Sequence, residues 1–110
     1  MLTQKKGEIM EIKLEGRQVD LGNELQDRIK KRLGNLDRRF GPITHARFTV
    51  ERRPHKNEQR AEAKAVVSIA GSTITTAKES LTVVAAVNDT LDTLTEKLKG
   101  HVEKSKKDHR

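Results

Sequence analysis

The chain has 110 residues, with 23 Lys+Arg against 16 Asp+Glu, four His, two Phe, and no Cys, Trp or Tyr. That length fits one domain, and the lack of Cys excludes a disulfide framework, thiol catalysis and Cys-type zinc sites. Leu, Ile, Val and Phe supply 26 residues, just above the ~20% below which a highly charged chain stays disordered, so a small aliphatic core is expected.

In chain order, residues 1–9 are polar and patternless and are expected to form a flexible extension. Met10, Ile12 and Leu14 then alternate with Glu11, Lys13 and Glu15, the period of two of a half-buried strand running to Gly16. Leu21, Leu25, Ile29, Leu33, Leu36 and Phe40 recur at steps of four and three, which predicts a helix of about five turns. Asp20 or Gly22 is its candidate cap, and Gly41 with Pro42 ends it. Gly34 inside it costs about 1 kcal/mol relative to Ala, so packing must supply its stability.

Ala46, Phe48 and Val50 mark a second strand ending at Glu51, and 52–59, with Pro54, His55, Lys56 and Asn57, reads as a loop. Ala61, Ala63, Ala65, Val67 and Ile69 share one face of a third strand, and a turn at 70–72 leads to a fourth over 73–78. Val84, Val87, Leu91, Leu94, Leu98 and Val102 return to helical spacing. The stretch Glu103 to Arg110 is charged and expected to fray, with 105–110 set apart from the domain as a charged tail. The order β-α-β-β-β-α predicts an α+β domain at 10–104, a four-stranded sheet with both helices packed on one face, like the double-stranded RNA-binding domain in outline.

The excess of cations is local: three in residues 21–41, three in 42–60, and one in 81–110. Such a distribution points to a polyanionic partner. At 100° per residue, with Leu25 at zero, the first helix's apolar residues span about −40° to +80°. Arg28, Lys31, Arg32, Arg38 and Arg39 fall together between about 220° and 340°, a spacing that can lay cations along phosphates. The second helix divides into an anionic line, Asp89, Asp92, Glu96 and Glu103, and a cationic flank, Lys97, His101 and Lys104. Contact with a polyanion is expected only along that flank. Only Phe40 and Phe48 are available for stacking on bases.

Other chemistry finds no support. The seven glycines stand singly, so no phosphate-cradling loop is present. His45, His55, His101 and His109 lack ligand spacing, so no metal or cofactor is expected, and an enzyme is the least supported class. Asn88, Asp89 and Thr90 form a glycosylation sequon without any sign of secretion. No apolar run nears the roughly 20 residues of a membrane span, and residues 1–10 lack a signal-peptide core, so a cytoplasmic protein without membrane contact is expected.

The run MEIKLEGR at 10–17, RLGNLDRRF at 32–40, and Ala85, Ala86 and Val87 leading into Leu94 and Leu98 resemble, in order and spacing, the ribosome hibernation promoting factors. These proteins are also called ribosome-associated inhibitors or sigma modulation proteins. The resemblance spans Met10 to about Lys104. It implies the same fold, lodged in the messenger and transfer-RNA channel of the small ribosomal subunit, where basic helix faces lie on ribosomal RNA and translation stops under stress or in stationary phase. It also implies RNA contacts at Arg17, Arg32, Arg38 and Lys104. Arg28, Lys31, Arg39 and Lys97 join them from the charge pattern. The chain departs from the family at Val84, where Tyr is usual, at Thr82, where Asp is usual, and at Thr93, Glu96, Gly100 and Val102, where basic residues are frequent. Longer members continue into a dimerising domain, so ribosome pairing by that route is not expected, and a monomer off the ribosome is. No small-molecule substrate is expected. Two rival readings are another structured-RNA module of double-stranded-RNA-binding type, against which 80–90 lacks Lys and Arg, and a protein-interaction adaptor using the open sheet face or the acidic helix line.

Overall fold

The computed structural model describes residues 10–55, 58–69 and 71–108. The expected extension at 1–9 lies outside them, as do His109 and Arg110. The elements follow in the order β1 (Glu11–Arg17), α1 (Asn23–Phe40), β2 (Ile43–His55), β3 (Glu58–Ile69), β4 (Ser72–Ser80) and α2 (Val83–Asp108). The sheet is mixed, in sequential order, with β1 parallel to β2 and the other pairs antiparallel. The α+β arrangement expected from the alternating patterns is the one observed.

One sheet face is apolar and lies under both helices. Phe48, Val50, Ala63, Ala65 and Val67 are fully buried there, against Ile29 and Leu33 of α1 and Ala86, Val87, Leu91, Leu94 and Leu98 of α2. α2 packs over β3 and β4. The alanines of β3, poor strand formers by propensity, leave room for its leucines. Thr90, also fully buried, donates its hydroxyl to the Ala63 carbonyl at 3.0 Å, so this buried hydroxyl is satisfied.

The ends of the helices are built differently. α2 starts at an N-cap, where the Thr82 hydroxyl accepts the Ala85 N–H at 3.1 Å. α1 has Gly22 as N-cap with no side-chain bond, so Asp20 does not cap it; the Gln26 side chain instead reaches the Leu21 carbonyl at 2.6 Å. At its other end the Gly41 N–H returns to the Asp37 carbonyl at 2.8 Å, while the Asp37 carboxylate accepts the Ile43 N–H at 2.7 Å. The Gly41–Pro42 peptide is cis. A Cβ at Gly41 would press into the Asp37 carbonyl, and one at Gly16 into the Val19 carbonyl, so both corners need glycine for close backbone approach.

Two expectations are corrected. The polar residues 52–55 and 58–59 of the expected loop are strand, Lys56 and Asn57 lying outside the described residues: β2 and β3 stay in register through Arg52↔Ala61, Arg53↔Arg60, Pro54↔Gln59 and His55↔Glu58. β1 pairs only as far as Glu51 and β4 only as far as Ala61, so this arm projects beyond its neighbours. It needs no apolar face, and a strand with one partner tolerates Pro54. Val84, placed in the apolar stripe by spacing, is 49% exposed, and Ala86 is buried instead. α2 itself runs to Asp108. Lysines are good helix formers and nothing there breaks the helix.

Candidate nucleic-acid interface

Arg28 donates to the Asn88 side-chain oxygen at 3.4 Å, and Arg32 pairs with the Asp92 carboxylate at 2.9 Å. Both contacts join residues 60 apart in sequence, so α1 and α2 run side by side in the same direction, with these arginines in the seam between them. The Arg32 side chain keeps 34% of its surface exposed and Asp92 keeps 69%. A pair in such wet surroundings contributes only about 0.2–1 kcal/mol, so Arg32 can exchange its carboxylate for a phosphate at small cost.

Lys31, Arg38 and Arg39 stand exposed on the outer side of α1. Arg38 donates to the Asn35 side-chain oxygen one turn back. The Arg39 guanidinium lies over the Phe40 ring, 4.8 Å from its centroid, a cation–π contact that fixes its direction. Phe40 is thereby partly covered and Phe48 is fully buried. With one ring buried and the other occupied by Arg39, this surface is suited to phosphate and sugar contacts rather than to gripping splayed bases.

The remaining sequence-predicted residues lie elsewhere. Arg17 sits at the end of β1 on the open sheet face, opposite the helices, 3.2 Å from Glu15. Lys97, on the far flank of α2, donates to the Thr75 carbonyl of β4 at 2.8 Å. Lys104 continues that flank along the backbone of α2, and its side chain lies outside the described part. The structure therefore brings together Arg28, Lys31, Arg32, Arg38 and Arg39 on α1, and it separates Arg17, Lys97 and Lys104 from them. Among the described residues no group of His, Asp and Glu is placed to hold a metal ion, and no helix is long and apolar enough to cross a membrane.

Sequence reasoning missed Lys13, Arg47 and Lys64, which stand exposed on the open sheet face. Their signal was the outward register of the strands: Lys13 pairs with Arg47 in β1/β2, and Lys64 with Thr49 in β2/β3. Two shallow depressions of about 270 Å³ each lie on this face, one bounded by Lys13 and the other by Arg17 and Lys64, with Arg47 and Val66 shared between them.

Comparison with known proteins gives a consistent picture. The family model for sigma 54 modulation protein / S30EA ribosomal protein matches residues 12–106. Among solved structures, the chain is similar to the N-terminal domain of Thermus thermophilus Protein Y, at 24% identity and a TM-score of 0.71, covering 84% of this chain and 99% of that one. It is likewise similar to a ribosomal subunit interface protein from Coxiella burnetii, at 24% identity and a TM-score of 0.66, covering 84% and 97%. Both likenesses establish the fold. No curated protein matches the chain.

Proposed function

Since the chain belongs to the sigma 54 modulation protein / S30EA ribosomal protein family, we propose that it is a ribosome-associated hibernation factor that occupies the messenger and transfer-RNA channel of the small subunit. It acts by occupancy and performs no chemistry. The observation that carries this reading is the row of cations on α1, exposed or weakly held, beside a Phe40 ring that Arg39 already occupies. Such a surface grips a folded RNA by its phosphates. The description of the Coxiella relative as a subunit interface protein points the same way.

In this reading Lys31, Arg32, Arg38 and Arg39 meet ribosomal RNA directly, and Arg28 joins them from the seam. Arg17, Lys97 and Lys104 extend the contact around the molecule. The protein works in the cytoplasm, under stress or in stationary phase, as a monomer off the ribosome.

The test is sedimentation of the purified protein with ribosomes and separated subunits at low and moderate salt, with transfer RNA as competitor. Co-migration with the small subunit, weakened by salt and by competitor, is the expected result. Absence of co-migration at low salt sinks the reading and turns the search to protein partners, for which the acidic line of α2 is the alternative surface.

A further inference from the structure

The open face of the sheet carries an ionic lattice whose carboxylates are engaged. Glu11 meets His45 at 3.0 Å, and Glu15 meets Arg17 at 3.2 Å. Arg53 bridges Glu51 and Glu62 at 3.5 and 3.1 Å, and Arg60 bridges Glu58 and Glu79 at 3.0 and 3.1 Å. Against that background Lys13, Arg47 and Lys64 have no carboxylate partner among the described residues. Lys13 and Arg47 are moreover register partners, on strands about 4.8 Å apart. Like charges placed side by side on a sheet cost stability, and an anion bound from outside would turn that cost into attraction. Arg47 forms the ridge between the two depressions, with Lys13 in one and Lys64 in the other.

We propose that Lys13, Arg47 and Lys64 form a second RNA-phosphate-binding surface on the open sheet face, so that the protein is gripped by RNA from both sides. The inference rests on the reading of the chain as a ribosomal RNA-binding factor and adds to it a surface on the opposite face from α1. Three observations favour RNA backbone as the occupant. The molecule is a slab, with Cα extents of 52 × 39 × 16 Å, and its unpartnered cations lie on both broad faces, as a body inserted between two polyanionic walls requires. The floor offers Val66, Thr49 and Ser68, small side chains that let a phosphate approach but give an acidic peptide little apolar anchorage. The face carries no Phe, Tyr or Trp to read bases and its His45 imidazole is held by Glu11 at 3.0 Å, which matches contact to the backbone.

The experiment compares wild type with the triple variant Lys13→Gln, Arg47→Gln, Lys64→Gln for binding to small subunits across a salt series. A photo-crosslinker on Ser68→Cys, the sole thiol in a chain without cysteine, reports what lies against the face. Each lost phosphate contact lowers the slope of log K against log salt by about 1. The triple variant is therefore expected to bind several-fold more weakly with a slope smaller by about 3, and the label is expected on RNA. Its thermal midpoint is expected at or above wild type, because the Lys13–Arg47 repulsion is gone; the single variant Lys13→Gln, with a slope smaller by about 1, serves as the check should the triple variant fold poorly. Wild-type binding with an unchanged variant slope overturns this surface and leaves the α1 reading standing, and so does a label found on ribosomal protein. Failure of wild type to bind at all overturns both.

Discussion

α1 and α2 lie side by side in the same direction on the same sheet, and they divide the work. α2 buries Ala86, Val87, Thr90, Leu91, Leu94 and Leu98 completely, starts at a side-chain cap, and turns Asp89, Asp92 and Glu96 to solvent. α1 is anchored by Ile29, Leu33 and Leu36, lacks a side-chain cap, and carries the cations. The helix with the deeper packing turns a line of carboxylates outward, and the helix that presents the row of cations is tied to it along their seam. The Arg28–Asn88 and Arg32–Asp92 contacts join the two roles. They set the direction of two arginines without neutralising them strongly, since both sit in water.

Truncation under α2 tests this division most severely. Leu94→Ala is expected to cost about 2–5 kcal/mol through lost burial and the cavity left behind, seen as a lower midpoint in denaturant; a loss below about 1 kcal/mol would show that α2 is not the main anchor. On α1 the sign of the effect changes from stability to binding. Charge reversal at Arg32 and Arg38 is expected to lower the salt slope of small-subunit binding by about 2, with the thermal midpoint nearly unchanged. Equal binding by that variant would move the interface away from α1.

Smaller changes sharpen the same contrast. Thr90→Val keeps the shape but removes the hydroxyl from the Ala63 carbonyl, and is expected to destabilise by about 1 kcal/mol, with RNA binding intact once folded. Asp92→Asn removes the carboxylate that competes for Arg32. Its effect on stability should stay below about 1 kcal/mol, while binding to RNA tightens. Weaker binding instead would make Asp92 a group that positions Arg32 rather than one that competes for it.

Patterning was enough where one face of an element is dry. The alternation at Met10, Ile12 and Leu14, the stripe from Leu21 to Phe40, and the alanine face of β3 each mark their element, because burial acts on every second residue of a strand and every third or fourth of a helix. It failed at 52–55 and 58–59, whose strand pairing rests on backbone hydrogen bonds and ion pairs such as Arg53–Glu62, neither of which imposes an apolar period. It failed at Val84 because the first turn of α2 presents Val83 and Ala86 to the core in its place, a rotation that spacing alone does not fix.

The candidate site divides along the same line. The helical wheel groups the five cations of α1, since neighbours on one helix are fixed by the 3.6-residue turn. Which of them face α2, and that Arg17 lies on the opposite side of the sheet, depend on how separate elements pack. The fold class, the small aliphatic core and the cationic side of α1 were thus determined by the sequence itself, because each depends on spacing within one element. The seam holding Arg28 and Arg32, the long β2/β3 arm, and the meeting of Lys13 with Arg47 were decided by tertiary structure alone, because register and helix packing join residues that no local period connects.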